Sequence, residues 1–374
     1  MSPWFKYGAG GRLGDLRASA RRMNAADPLI SLGFFVGVHK LQSDWQRRDK
    51  AAQGDTDMHA PNSRSLSLLS LAAVAMAAAI GCDLDDDGSV ESRAWWCTQC
   101  GSSLGNSPNI NGASLANIHL TEPFGDGMYL GPMSSGLNVN LRLGVDANDA
   151  FVGLQGDTVV LSGADVVGAK IAVFLSNEEY VWLEITDIDN TVPSWSDSGA
   201  MVTAYQATYF DQGVVKSLCP TLVGDDRWFT LIPDERYSSG TNEVESAPGT
   251  VTLACVGEAA AKMKLLDFHP RGNRQASPEE RQATLRMVTG DYCGNGHSFT
   301  VSGTKVAWRD AAGLVEPPFQ EYAMEALWDE NGAICLTTPR HAARAEIEAE
   351  CGEIQPCDGL DFVPRAVWRT MLPK

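Results

Sequence analysis

No cysteine occurs before residue 82, and all nine cysteines of the 374-residue chain lie at or after that position. A protein kept in the reducing cytosol has no need of such a set, whereas exported proteins use cysteines for disulfides. With Cys82 set aside, the other eight are enough for four disulfides. Cys351 and Cys357 are close in sequence and are expected to be partners. The predicted disulfide set is Cys97, Cys100, Cys219, Cys255, Cys293, Cys335, Cys351 and Cys357.

The chain also lacks a basic patch. Residues 82–374 hold 19 Lys and Arg against 41 Asp and Glu, a net charge of −22. A surface this acidic repels phosphate backbones, so nucleic acid is excluded as a partner.

Several common catalytic fingerprints are absent as well. The sequence has no H-E-x-x-H pair, no P-loop and no Rossmann glycine pattern. It indicates no cofactor. The best acid/base candidate is Asp291 with His297, on a glycine-rich turn. The favoured interpretation is structural: Asp291 caps backbone amides, Tyr292 packs and His297 is a surface strand residue.

Residues 65–81, SLSLLSLAAVAMAAAIG, form an uncharged apolar run directly after Arg64. The run is short for a membrane span, which needs roughly 20 residues, but it suits an export signal. It ends in Ala79-Ile80-Gly81-Cys82, which resembles the lipobox of bacterial lipoproteins. We therefore expect a signal peptide at residues 58–81 and lipid on Cys82. Residues 1–57 are interpreted as a wrongly assigned start or a cytoplasmic extension.

Residues 82–94 are acidic and are expected to form a solvated tether. Asp83, Asp85 and Asp87 match the first half of a calcium loop, but Ala94 stands where a bidentate Glu is required. Next, Cys97-Thr98-Gln99-Cys100 is compatible with a redox pair, half a zinc site or two disulfide ends. The surrounding Gly, Ser, Asn and Pro indicate a loop, which favours disulfides.

Residues 95–256 are predicted to form a β-rich domain, with the β pattern running from about residue 136 to 256. Apolar and polar residues alternate over 137–145, and turn residues separate the later runs. The pattern predicts an antiparallel β-sandwich or barrel with strands at residues 158–161, 169–175, 180–186, 202–210, 227–232 and 250–255. In one of them, Tyr180, Trp182 and Glu184 share a face that could hold a sugar ring. The favoured alternative is a central strand buried on both faces.

Residues 257–374 are predicted to form a smaller, disulfide-tied region that mixes helices and hairpins. Helices are expected at residues 257–266, from Ser277 with a capping box to Gly290, and from Thr338-Pro339 to Cys351-Gly352. Hairpins are expected at residues 299–308, turning at Ser302-Gly303, and at residues 326–336, turning at Asn331-Gly332. The predicted fold class is therefore mainly β with a few short helices.

One segment resembles a known family. Arg286-Met-Val-Thr-Gly-Asp-Tyr-Cys-Gly-Asn-Gly-His-Ser-Phe-Thr300 is similar to the signature of the ADYC-domain family, secreted proteins and lipoproteins of Gram-negative bacteria. Trp328, Gly332 to Leu336 and Pro339-Arg340 resemble a second block, so the likeness spans about residues 250–357. Gly290 replaces the name-giving Ala. The resemblance implies an envelope location and no particular reaction.

These observations predict a lipid-anchored envelope protein, attached to a membrane through Cys82, with its body in the periplasm or on the cell surface. Its expected role is non-catalytic: it binds a glycan or another envelope protein, or it is structural. Two alternatives stay open. One is an extracytoplasmic hydrolase that uses Asp291 and His297, and the other is a calcium-dependent docking protein that uses Asp83, Asp85 and Asp87.

Overall fold

The computed structural model describes residues 108–120, 127–136, 138–175, 179–219, 227–238, 241–301, 304–317 and 322–374. The predicted signal peptide with Cys82, the tether with its three aspartates, and the pair Cys97 and Cys100 lie outside these residues. No helix in the described part of the chain is long and apolar enough to cross a membrane.

The fold is mainly β, as predicted, and each predicted strand before residue 256 is found. The first strands are β1 (Asn109–Ile110), β2 (Ala113–Ser114), β3 (Ile118–His119), β4 (Tyr129–Ser135), β5 (Asn138–Val145), β6 (Phe151–Gln155) and β7 (Thr158–Leu161). After a 3₁₀ turn (Gly163–Val166) come β8 (Lys170–Phe174), β9 (Tyr180–Pro193), β10 (Met201–Asp211), β11 (Val214–Ser217), β12 (Trp228–Tyr237) and β13 (Val244–Cys255).

Of the described strands, seven close into a barrel in the order β3-β13-β12-β10-β9-β8-β4. Neighbours in this circle are antiparallel, except that His119 on β3 pairs with Tyr129 on β4 in parallel and closes it. Strands β5, β6 and β7 continue from β4, and β11 pairs with the end of β10. Every second side chain points inward. The interior is filled by apolar residues that include Ile118, Leu130, Ile171, Leu183, Leu231 and Val251.

The rest of the chain forms a second core against the barrel. It contains α1 (Ala259–Leu265), α2 (Pro278–Thr289) and α3 (Arg344–Cys351), with the strands β14 (Ala307–Asp310), β15 (Tyr322–Asp329), β16 (Gly332–Leu336) and β17 (Trp368–Pro373). These strands form an antiparallel sheet in the order β14-β17-β15-β16. Three fully buried tryptophans, Trp308, Trp328 and Trp368, fill this core together with Ile232 and Ala254 of the barrel.

The caps of α2 confirm the sequence prediction. The Ser277 side chain accepts from the amide of Glu280, and the Glu280 carboxylate accepts from the amide of Ser277. Gly290 ends the helix in the left-handed region with φ of 67°. The hairpin of β15 and β16 is also found, with its turn at Glu330-Asn331, one residue before the predicted Asn331-Gly332, because Gly332 already pairs with Asp329.

Two predicted elements are wrong. The predicted turn of the 299–308 hairpin, Ser302-Gly303, lies outside the described residues, and the described residues on either side do not pair with each other. Phe299 donates its amide to Gly290 at the end of α2, and β14 pairs with β17 instead. The last helix begins at Arg344 rather than at Thr338-Pro339. Residues 337–343 before it form bends rather than a helical turn, and the Arg340 side chain of this segment forms a buried ion pair with Glu325.

Disulfide bonds are confirmed, but the expected pair of Cys351 and Cys357 is wrong. The bonds are Cys219–Cys255, Cys293–Cys351 and Cys335–Cys357. The turn after α2 lies against the end of α3, with the Cα atoms of Cys293 and Cys351 4.8 Å apart. The segment before Cys357 runs beside β16, where Leu336 donates its amide to Gln355. Tertiary contact therefore decides the pairs, not closeness in sequence.

Candidate functional site

The carboxylate of Asp291 is occupied by structural bonds. It is fully buried, pairs with the guanidinium of Arg286, and accepts from the amides of Asn295 at 3.1 Å and Gly296 at 2.9 Å. Asp291 therefore ties the glycine-rich turn to the end of α2, as the structural interpretation expected.

His297 has a different environment. Its side chain is 55% exposed, and its Nδ1 lies 2.6 Å from Glu350 Oε2 on α3. Hydrogen bonds from Asn295 and His297 hold the pKa of the Glu350 carboxyl below its usual value. His297 is a surface residue, but in a loop rather than a strand. Among the described contacts, no hydrogen bond or ion pair joins it to Asp291, so the structure does not assemble the predicted acid/base pair.

The tyrosine of the signature joins the second block of the family pattern. The Tyr292 hydroxyl donates to Glu325 Oε1 at 2.5 Å, and Arg340 Nε donates to the same oxygen at 2.7 Å. The amide of Arg340 donates to the Tyr292 hydroxyl at 3.1 Å. Burial raises the pKa of Tyr292, so its hydroxyl remains a donor at physiological pH. The Tyr292 ring stacks on Trp328 with centroids 5.1 Å apart.

Two glycines allow these blocks to meet. A Cβ on Gly294 would lie 2.0 Å from the carbonyl oxygen of Asn331, and one on Gly332 would lie 2.5 Å from that of Tyr292. Both glycines have positive φ. The signature therefore forms a tightly packed junction between α2, β15 and β16.

Tyr180, Trp182 and Glu184 share one face of β9, as predicted, but the strand is not buried on both faces. Val181, Leu183 and Ile185 point into the barrel and are buried, whereas the other three are half-buried on the outside. The reason is geometric: a strand of a closed barrel has only one face toward the interior.

The outer face carries a row of aromatic rings across four strands, here called the aromatic face: Tyr129 on β4, Phe174 on β8, Tyr180 and Trp182 on β9, and Phe210 on β10. Successive centroids are 4.4 Å apart for Tyr129 and Phe174, 5.8 Å for Phe174 and Tyr180, and 6.0 Å for Tyr180 and Trp182. Gly131 gives room for the Phe174 ring, since a Cβ there would lie 2.4 Å from it.

Two further features complete this face. The register of β9 and β10 pairs Leu183 with Tyr209, so the next position places Phe210, 63% exposed, beside Trp182. On the same face, farther along β8 and β9, Lys170 and Glu184 form a cross-strand pair with Nζ and Oε2 3.4 Å apart. Apolar ring surface bordered by a donor and an acceptor can stack on the C–H face of a sugar and bond its hydroxyls.

A second candidate site was missed by the sequence analysis. It is a cavity of about 520 Å³, here called the polar pocket, lined by the turn at residues 146–150, by Asn190 and residues 199–203 of β9 and β10 and their connection, and by residues of the α1 end and following loop. The last group comprises Lys264, Asp267, His269, Arg271, Gly272 and Asn273.

A buried ion pair forms one wall of the polar pocket. Lys264 Nζ donates to Asp149 Oδ2 and, at 2.7 Å, to the carbonyl of Leu231, and both side chains are 3% exposed. Burial lowers the pKa of Lys264, and the Asp149 carboxylate partly offsets this. The two residues are too far apart in sequence for a pattern to link them. The sequence feature that could have pointed to this buried ion pair is the occurrence of two lysines, Lys262 and Lys264, inside an apolar helical run.

His269 lies between two carboxylates. Its Nδ1 is 3.4 Å from Asp149 Oδ2 and its Nε2 is 3.6 Å from Asp267 Oδ1. Burial, followed by the nearby Lys264, Arg281 and Arg271 cations, holds the pKa of His269 well below its usual range. The imidazole is therefore neutral at physiological pH. No cluster of three or more His, Cys, Asp or Glu in the described residues is placed to hold a metal ion.

The fold and the disulfides together define the class of protein, a closed β-barrel joined to a small disulfide-tied region of helices and strands. Residues 163–342 match the family model described as the ADYC domain. The chain thus carries an ADYC domain, which confirms the resemblance. The match begins in the barrel and crosses the predicted boundary at residue 256. No curated protein and no solved structure matches the chain.

Proposed function

We propose that this chain is a lipid-anchored protein of the bacterial cell envelope whose barrel binds a polysaccharide without catalysis. Lipid on Cys82 would hold it at the membrane, with the body in the periplasm or on the cell surface. The observation that carries the binding proposal is the aromatic face, a row of rings on the outside of a rigid sheet.

The aromatic face suits a sugar chain for two reasons. Half-buried rings on a β-sheet have few torsions left to lose, so binding costs little side-chain entropy. The Lys170 and Glu184 pair at its border offers both a donor and an acceptor to hydroxyl groups. A row of rings across four neighbouring strands favours an extended polymer over a small compact ligand.

The alternatives receive less support. A hydrolase at Asp291 and His297 would need a free carboxylate, and that of Asp291 already has three donors. Calcium-dependent docking through Asp83, Asp85 and Asp87 concerns residues outside the described part of the chain.

The binding proposal is tested with the full chain purified from envelope fractions. Purified peptidoglycan sacculi serve as the polymer and N-acetylglucosamine oligomers as soluble probes. We expect Trp182→Ala and Phe210→Ala each to weaken binding about 10-fold, the size of a lost aromatic contact. Val159→Ala removes an exposed apolar side chain on β7, outside the aromatic face, and should leave binding unchanged. Equal loss in all three variants, or in none, would contradict the proposal.

The anchor is tested separately. Cells that express the wild-type chain and Cys82→Ser are labelled with palmitate and fractionated. We expect label and membrane association for the wild type only. Label on the Cys82→Ser chain, or none on the wild type, would contradict lipid anchoring.

A further inference from the structure

The polar pocket lies at the opposite end of β9 from the aromatic face. Tyr180 begins that strand on the aromatic face, and Asn190 lines the polar pocket ten residues later. A ligand of the polar pocket is therefore independent of the binding proposed for the aromatic face.

The charged groups of the polar pocket already have partners within the protein. Lys264 is held by Asp149 and a backbone carbonyl, and Arg271 donates to the carbonyl of Asp146 at 3.0 Å and to Asp234 at 2.6 Å. The Asp267 carboxylate accepts from two backbone amides. The Asp146 carboxylate likewise accepts from the amides of Asn148 and Ala150. Both cations of the pocket are thus already paired, which disfavours an anionic ligand because breaking a buried pair is costly.

The remaining polar groups at the wall of the polar pocket are neutral side-chain amides. Asn148, Asn190 and Asn273 are exposed at its wall, and their amides make no side-chain hydrogen bond among the described residues. Each amide offers both donors and an acceptor.

The buried imidazole of His269 adds an independent observation. It is 5% exposed, lines the polar pocket, and its Nδ1 has no hydrogen-bond partner in the described part of the protein. Carboxylates lie near both ring nitrogens, Asp149 at 3.4 Å from Nδ1 and Asp267 at 3.6 Å from Nε2. A neutral imidazole carries one N–H donor and one acceptor nitrogen in either tautomer, and both can serve a hydroxyl group.

We infer that the polar pocket binds a small neutral polyhydroxy compound of the monosaccharide class. Sugar hydroxyls donate and accept at once, which matches the three asparagine amides and the neutral imidazole. Ala150, Met201 and Val202 supply apolar surface for the C–H groups of the ring. The volume of about 520 Å³ lies within the range of roughly 300–1,000 Å³ that is usual for small-molecule sites.

The test is calorimetric titration of the full chain with glucose, galactose, N-acetylglucosamine and myo-inositol, with acetate and ethylammonium as charged probes. We expect at least one of the four neutral probes to bind. Asn190→Ala and Asn273→Ala should each weaken that binding about 3- to 10-fold, the effect of a lost hydrogen bond. Both side chains are exposed, so the variants are expected to fold normally.

Two variants serve as controls. Asn109→Ala removes an exposed asparagine on β1, outside the polar pocket, and Trp182→Ala alters the aromatic face alone. Neither should change the affinity for the neutral probe. The inference is overturned if no neutral probe binds, if acetate or ethylammonium binds more tightly, or if the controls weaken binding as much as the pocket variants.

Discussion

The hydroxyl of Tyr292 and the carboxylate of Glu325 form a buried 2.5 Å hydrogen bond between the signature turn and β15. Arg340, from the second block of the family pattern, binds both partners. The residues that carry the family resemblance therefore hold α2 against the C-terminal sheet. Their polar groups bond to one another inside the protein.

Replacing Tyr292 with Phe should lower the free energy of unfolding by about 1–3 kcal/mol. The ring would still pack on Trp328, but the amide of Arg340 would lose its acceptor and Glu325 a donor. Urea unfolding followed by circular dichroism measures the change. Tyr180→Phe, which removes a half-buried hydroxyl on the aromatic face, is the control and should change stability little. Equal effects would contradict the structural role.

Gly294→Ala should destabilise the protein by about 1–3 kcal/mol more than Gly359→Ala. Both glycines have φ near +70°, so the backbone strain of an alanine is alike. The difference lies in space: Gly294 faces the Asn331 carbonyl at 2.0 Å, whereas nothing lies within 4 Å at Gly359. Thermal unfolding of the two variants separates the steric contact at Gly294 from the backbone strain that both variants share. Equal losses of stability would contradict the close approach of Gly294 to Asn331.

Removing the Cys293–Cys351 disulfide with a double Ser variant should cost roughly 4 kcal/mol, because its loop spans 58 residues. The Cys335–Cys357 bond closes a loop of 22 residues and should cost roughly 3 kcal/mol. Denaturant unfolding of each variant gives both numbers. Peptide mapping under non-reducing conditions checks the pairs directly, and a Cys351–Cys357 peptide would contradict the structure.

The carboxyl group of Glu258 should make the stability of the protein depend on pH. Burial raises the pKa of its carboxyl from 4.5 to about 8. Between these values the folded protein holds a proton that the unfolded chain has released, so this group lowers stability as pH rises. Glu258→Gln removes the effect while keeping an acceptor for the Cys255 amide. The variant should gain stability relative to wild type from pH 5 to 8, by up to about 1.4 kcal/mol per pH unit.

The control for this experiment is Glu353→Gln, which removes an exposed carboxylate. Its stability relative to wild type should stay constant over the same pH range. A constant difference for Glu258→Gln as well would show that the Glu258 carboxyl is ionised throughout.

Local features of the fold were predictable because their causes lie within a few residues. The Ser277 cap, the Gly290 stop and the turn at Asn331 are set by neighbouring side chains and backbone dihedrals. Alternation along β9 gave the correct set of outward residues, and only the extent of their burial was wrong.

Features that depend on distant contacts were not predictable. The disulfide partners follow from the packing of α3 on the signature turn. The polar pocket joins Asp149 to Lys264, 115 residues apart, and no periodic pattern brings such residues together. The non-helical segment before α3 carries Arg340, whose buried partner, Glu325, comes from β15.

The most direct test of the account is carbene footprinting of the full chain with and without bound peptidoglycan oligomers. The proposal predicts protection of Tyr180, Trp182 and Phe210, and no protection of Leu360, an exposed apolar residue outside the aromatic face. Unchanged labelling of the aromatic face while the oligomer is bound elsewhere would contradict the proposed function.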